Sequence, residues 1–224
     1  MQGKAIVFGV LVVLLAALGF VFWSGGASAP APPGFVEPVG PPPPGLEKAT
    51  FASGCFWCSE AVFQKLKGVY SVVSGFSGGS VKNPSYVEVG IGMTGHAEAI
   101  QVMFDPKVIT YPELLEVFWK THDPTTVDRQ GADEGPQYRS VIFYHNDQQK
   151  ELAEQYKKKL DASGIFGQPI VTQIVPFTEF YPADEKHQHF YALNPNVPYC
   201  RIVIGPKLQK LEELFHDKLK EPAR

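Results

Sequence analysis

The sharpest chemistry in this chain sits in Gly54-Cys55-Phe56-Trp57-Cys58-Ser59-Glu60. A cysteine at the junction between a strand and a helix lies near the positive end of the helix dipole and beside unpaired backbone N–H groups. Both favour thiolate, the attacking form of sulfur. Gly54 permits the sharp turn that such a junction needs. Cys58 follows one helical turn later, a spacing that allows a disulfide, as in redox Cys-x-x-Cys motifs. The plainer reading of both cysteines is small core residues. A zinc half-site is discounted, because no second ligand pair of suitable spacing follows.

Two further segments carry polar groups. In Gly95-His96-Ala97-Glu98-Ala99, alternation puts Glu98 on one strand face with Ile100, Val102 and Phe104. If that face is buried, desolvation keeps the carboxyl protonated and makes it a general-acid candidate. On these residues alone a water-exposed glutamate at a frayed strand end is the simpler expectation. Residues 130–140, QGADEGPQYRS, read as a polar turn entering a strand.

These segments need elements to hold them. Strands are expected at Lys48 to Ser53, Val69 to Phe76, Ala97 to Phe104, Ser140 to His145 and Pro169 to Val175. Helices are expected at Cys55 to Lys67, from Thr110 onward, at Asp147 to Ser163 and at Lys207 to Leu219. Thr110 with Glu113 forms a capping-box pattern, and Gly164 closes the charged helix before it. The order β-α-β, β-α-β predicts an α+β fold, a ferredoxin-like split βαβ two-layer sandwich with extra C-terminal elements.

The 224 residues suffice for one domain and an appendage. A hydrophobic content of 44% supports a packed core without disulfides, and a net charge of −3 argues against nucleic acid as a partner. Three cysteines are too few for a disulfide scaffold. Residues 1–29 hold an uncharged run, Ala5 to Trp23, behind Lys4, which reads as a signal anchor or a cleaved signal peptide. Residues 30–45 are a proline-rich spacer, and the domain spans 46–224. The expected location is therefore extracytoplasmic, periplasmic or in the cell envelope, with membrane contact through the N-terminal segment.

GCFWCSE, GGSVKNPSY, GHAEA, HDPT, RQGADEGPQYRS and PNVPYC together resemble, in order and spacing, the A-type peptide methionine sulfoxide reductases. The resemblance covers roughly Ala49 to Lys210. It implies that Cys55 is the nucleophile, that Phe56 and Trp57 hold the sulfoxide methyl group and that Glu98 is the acid. It implies that Tyr86 and Tyr138 direct hydroxyls at the sulfoxide oxygen, with Asp133 supporting them. The implied substrate is the S epimer of methionine sulfoxide, free or in proteins. No metal or organic cofactor is implied; a thioredoxin or thioredoxin-like protein regenerates a disulfide enzyme, which is expected to be a monomer.

The sequence departs from that pattern at three places. Cys58 stands where many relatives have glycine, Pro136 where threonine is frequent, and RIVIGPKLQKLEELF replaces a glycine-rich tail. The resolving cysteine is therefore Cys58 or Cys200, with closure onto Cys58 and transfer to Cys200 the favoured order. Two other readings compete. One is a membrane-tethered thioredoxin-like disulfide oxidoreductase using Cys55 and Cys58. The other is a non-enzymatic tethered binding domain.

Overall fold

The computed structural model describes residues 41–221. The apolar run, most of the proline-rich spacer and the location they suggest lie outside the described residues. Among the described residues no helix is long and apolar enough to cross a membrane.

The chain alternates β1 (Glu47–Ser53), α1 (Phe56–Phe63), β2 (Val69–Ser77), α2 (Tyr86–Gly90), β3 (Ala97–Phe104) and α3 (Tyr111–Thr121). A short hairpin follows, β4 (Arg129–Gln130) and β5 (Asp133–Glu134), then β6 (Ser140–Tyr144) and α4 (Asp147–Ser163). The remainder is β7 (Gln173–Pro176), β8 (Phe180–Pro182), α5 (Phe190–Leu193) and α6 (Gly205–Phe215). This is an α+β fold built on one six-stranded sheet, ordered β7-β6-β1-β3-β2-β8. Only the β6–β7 pairing is parallel.

The strands alternate as the pattern requires. Ala49 and Phe51 of β1 and Ile100, Val102 and Phe104 of β3 face the main core with the helices. Phe51 anchors that core, its ring 5.4 Å from Phe63 of α1 and 5.2 Å from Phe118 of α3. Ala52, Ala97, Ala99, Val141 and Phe143 face the other side, where Val175, Phe177 and Phe180 cover them. Small residues there leave room for loops rather than helices.

Capping sets the helix limits where it was legible. Thr110 accepts the Glu113 N–H and Glu113 reaches back to the Thr110 N–H, completing the expected box. Gly164 closes α4 in the left-handed region, at φ +65°. Elsewhere tertiary pairing moves the limits. The first helix stops at Phe63, not Lys67, because the backbone of residues 65 and 67 bonds the C-terminal segment at Lys220 and Lys218. β7 begins at Gln173, not Pro169, because the Ile170 N–H goes to Asp161 and the Val171 N–H to the Pro124 carbonyl. The last helix ends at Phe215 and tightens into a 3-10 turn, so Leu219 is free to bridge Leu66.

Candidate active site

The site forms at the end of β1. Gly54 adopts φ +88°, and a Cβ there would sit 2.6 Å from Gln130, so the turn requires glycine. Cys55 follows at the N-cap of α1, buried. Its carbonyl accepts the Cys58 and Ser59 N–H groups. The Phe56 N–H, the helix donor expected to support a thiolate, is instead donated to Glu98 Oε2 at 3.0 Å.

Glu98 is only 2% exposed, which overturns the expectation of a solvated strand end. Burial pushes its carboxyl up to about 8 against the opposing pull of the Phe56 N–H, so at neutral pH it carries a proton.

The thiols depart from expectation. Burial drives Cys55 up, as do its hydrogen bond to Cys58 and the charge of Glu98. Cys58 is lowered to about 7, chiefly by that same hydrogen bond from Cys55, with Lys207 adding attraction. The helix terminus alone therefore does not make Cys55 the resting thiolate. The first charge belongs to the pair, with Cys55 donating to Cys58. All three cysteines are reduced.

Two elements bring in the hydroxyls. Ser85 caps α2 in a capping box with Glu88 and sets Tyr86 at its first position. Tyr138 ends a 3-10 turn, Pro136–Tyr138. Arg139 locks that turn to the start of β3 by donating to the Pro136 carbonyl at 2.7 Å and the Gly95 carbonyl at 2.9 Å. Burial and the nearby Glu98 hold both tyrosines well above their usual range, so they remain donors. Asp133, expected to support them, accepts instead from Tyr199 at 2.7 Å.

Tyr199 is a residue that the sequence reading missed. Its hydroxyl lies 3.6 Å from Cys58 Sγ, linking the thiol pair to Asp133. Its place beside Cys200 in the Tyr-Cys segment was the available signal. His187 and Phe190 were also missed, and nothing in their spacing marked them. The Trp57 ring stacks on Phe190 at 3.7 Å and 8°, with His187 at 5.7 Å and Tyr199 at 6.0 Å. His187 in turn stacks on Tyr86 at 4.2 Å. Phe56 lies within 6.2 Å of Trp57, Phe76, Tyr86 and His187, giving an aromatic pocket.

Cys200 lies in a π-helical turn, Cys200–Ile204, that runs directly into α6, and it is fully buried. Burial and the charge of Cys58 push its thiol up. Cys58 is thus electrostatically coupled to both other cysteines.

A buried thiol pair, a buried carboxyl held protonated and two tyrosine hydroxyls beside an aromatic cluster suit thiol-dependent reduction. The family model described as peptide methionine sulfoxide reductase matches residues 47–219. The chain is 55% identical over 177 residues to peptide methionine sulfoxide reductase MsrA 1 of Rhodopirellula baltica, covering 79% of this chain and 91% of that one. It is 51% identical over 174 residues to the MsrA of Thermus thermophilus, covering 78% and 98%. Among solved structures, reduced Mxr1 from Saccharomyces cerevisiae is similar with a TM-score of 0.66 and 35% identity, over 71% of this chain and 91% of that one. Methionine sulfoxide reductase A of Corynebacterium diphtheriae gives 0.62 and 38%, over 68% and 77%. The chain belongs to the peptide methionine sulfoxide reductase family, and its reaction is the reduction of methionine sulfoxide to methionine. Membership leaves the thioredoxin-like oxidoreductase and the binding-domain readings without support.

Proposed function

We propose that Cys55 attacks the sulfur of a methionine S-sulfoxide while Glu98 protonates the departing oxygen. The observation that carries this reading is the Glu98 carboxyl, buried, raised to about 8 and bonded to the Phe56 N–H beside Cys55. Sulfoxide sulfur is a poor electrophile until its oxygen gains a proton, and a neutral carboxyl in place supplies one. Tyr86 and Tyr138 donate to the developing oxygen charge. Phe56 and Trp57 take the methyl group. Near neutral pH the thiol pair holds one charge, and passing the Cys55 proton to Cys58 makes Cys55 the nucleophile.

The protonated oxygen passes from the substrate sulfur to the Cys55 sulfur as the bond between the two sulfurs breaks, so methionine leaves and Cys55 becomes a sulfenic acid. Cys58 then attacks that sulfur, water leaves, and a Cys55–Cys58 disulfide remains. Exchange with Cys200 moves the bond on, and a thioredoxin-like dithiol reduces it. The stoichiometry needs no metal or organic cofactor: two thiols become a disulfide as the sulfoxide becomes sulfide and water.

The finer fold reading belongs here too. The central order β6-β1-β3-β2, antiparallel throughout, with α1 and α3 both packed on Phe51, supports a split βαβ, ferredoxin-like core extended by β7 and β8. We further propose that residues 1–29, as a signal anchor or a cleaved signal peptide, place the domain outside the cytoplasm, on the strength of the Ala5 to Trp23 run behind Lys4.

The deciding assay supplies each sulfoxide epimer separately with dithiothreitol. Turnover of the S epimer alone is expected. Equal rates on both, or on neither, would refute the reading.

A further inference from the structure

Glu60 has no part in the reaction above, yet its side chain is 1% exposed on the helix that carries the nucleophile. Its Oε1 accepts the His189 backbone N–H at 2.9 Å. The same oxygen lies 3.8 Å from the His189 ring, whose Nδ1 accepts from Gln64 at 2.7 Å. Burial pushes the Glu60 carboxyl up to about 7, and the backbone N–H groups of His189 and Phe190 oppose that rise. His189 itself holds φ +53°, a left-handed conformation uncommon outside glycine.

The neighbouring Gln188 grips β2 as well. Its side chain accepts the Ser74 N–H at 2.9 Å and donates to the Ser74 and Ala183 carbonyls at 2.8 and 2.9 Å. The residues on either side of these grips close the site: His187 lies on Tyr86, and Phe190 lies flat on Trp57. A strained turn held at two adjacent residues, between two aromatic contacts with the pocket, is a fastening.

We propose that Glu60 is a positioning residue whose carboxylate latches residues 187–190 onto α1 and so holds His187 and Phe190 against the Trp57 side of the substrate pocket. This rests on Trp57 lining the methyl pocket in the proposed reaction. Cys55, Glu98 and Tyr138 lie outside residues 187–190, and Tyr86 keeps its own hold at the capped start of α2, so losing the latch weakens sulfoxide binding while leaving the chemical step in place.

The test uses the full chain and three variants, Glu60→Ala, Glu60→Gln and Glu60→Asp. Hydrogen exchange is read first, without substrate. In Glu60→Ala the amides of 187–193 are expected to exchange roughly 10- to 100-fold faster, the range for losing a hydrogen bond to a charged group, with the sheet unchanged. Glu60→Gln keeps an oxygen acceptor and is expected to restore protection. With S-sulfoxide and dithiothreitol, Glu60→Ala is expected to raise KM about tenfold or more with kcat held within a few-fold, the signature of lost binding rather than lost chemistry. Wild-type exchange at 187–193 in Glu60→Ala overturns the latch, as does a fall in kcat at unchanged KM. Should Glu60→Ala unfold, Glu60→Asp, which keeps the charge and shortens the reach, takes its place under the same criteria. A wild-type chain that turns over neither epimer refutes the functional reading instead, while the exchange comparison still judges the latch.

Discussion

Glu98 and Cys58 titrate close together from opposite starting points, and their order sets the working pH. Cys58 loses its proton near 7, and Glu98 keeps its own until near 8. The reactive form has the thiol pair charged and the carboxyl neutral, so kcat/KM is expected to rise through about 7 and fall through about 8. A pH–rate profile checks this, and a plateau extending past pH 9 would contradict it. Glu98→Gln should lose roughly 10²–10⁴-fold in the single-turnover rate of sulfoxide reduction; a rate within a few-fold of wild type removes the acid role. Recycling separates the other thiols. With excess substrate and no reductant, Cys200→Ser is expected to lose two free thiols in one turnover, while Cys58→Ser accumulates sulfenic acid trappable by dimedone. Closure at the wild-type rate in Cys58→Ser would make Cys200 the direct resolver. The motif pointed to Cys55 and Glu98 as residues. Their proton affinities were not legible, because these depend on burial by distant segments and on the Phe56 N–H being turned toward Glu98.

At the scale of elements, the longest and best-capped pieces were readable and the shortest were not. The α4 helix spans Asp147–Ser163 and ends at Gly164 as expected, because its end signals are local. The five-residue α2, the β4–β5 hairpin, β8 and the π-helical turn are too short to show a period, yet they position Tyr86, Asp133 and Cys200. The two capping boxes give a matched test. Thr110→Ala on α3 is expected to cost about 1 kcal/mol of stability in a denaturant melt with kcat/KM unchanged. Ser85→Ala on α2 is expected to do the reverse, lowering kcat/KM with little change in the melt, since α2 contributes only Val89 to the core and its first residue is Tyr86. Equal activity in the two variants would show that Tyr86 is held by its stacking on His187 rather than by its helix.

For the whole molecule, the catalytic carboxyl is a liability that pH exposes. Between about 4.5 and about 8 native Glu98 keeps a proton that the unfolded chain releases. The native state binds more protons there, so this group makes stability fall as pH rises through the window. Glu60, raised to about 7, acts in the same direction. Other groups oppose them, the lowered histidines and Cys58 among them. His122, buried and lowered to about 4, makes stability rise between about 4 and 6.5. Cys58, lowered to about 7, does so between about 7 and 9. The wild-type pH curve therefore mixes signs, but the difference between Glu98→Gln and wild type isolates the Glu98 contribution together with its coupling to Cys58. Glutamine can still accept the Phe56 N–H and never ionises. A carboxyl held even one unit above its unfolded value changes stability by about 1.4 kcal/mol, which in a chain of this size moves Tm by roughly 3–5 °C. The Tm advantage of Glu98→Gln is expected to grow by at least about that much between pH 5 and pH 8.5. Calorimetry at the two pH values checks it. A constant difference would mean that native Glu98 ionises as it does in the unfolded chain, and with that the general acid would be lost from the mechanism.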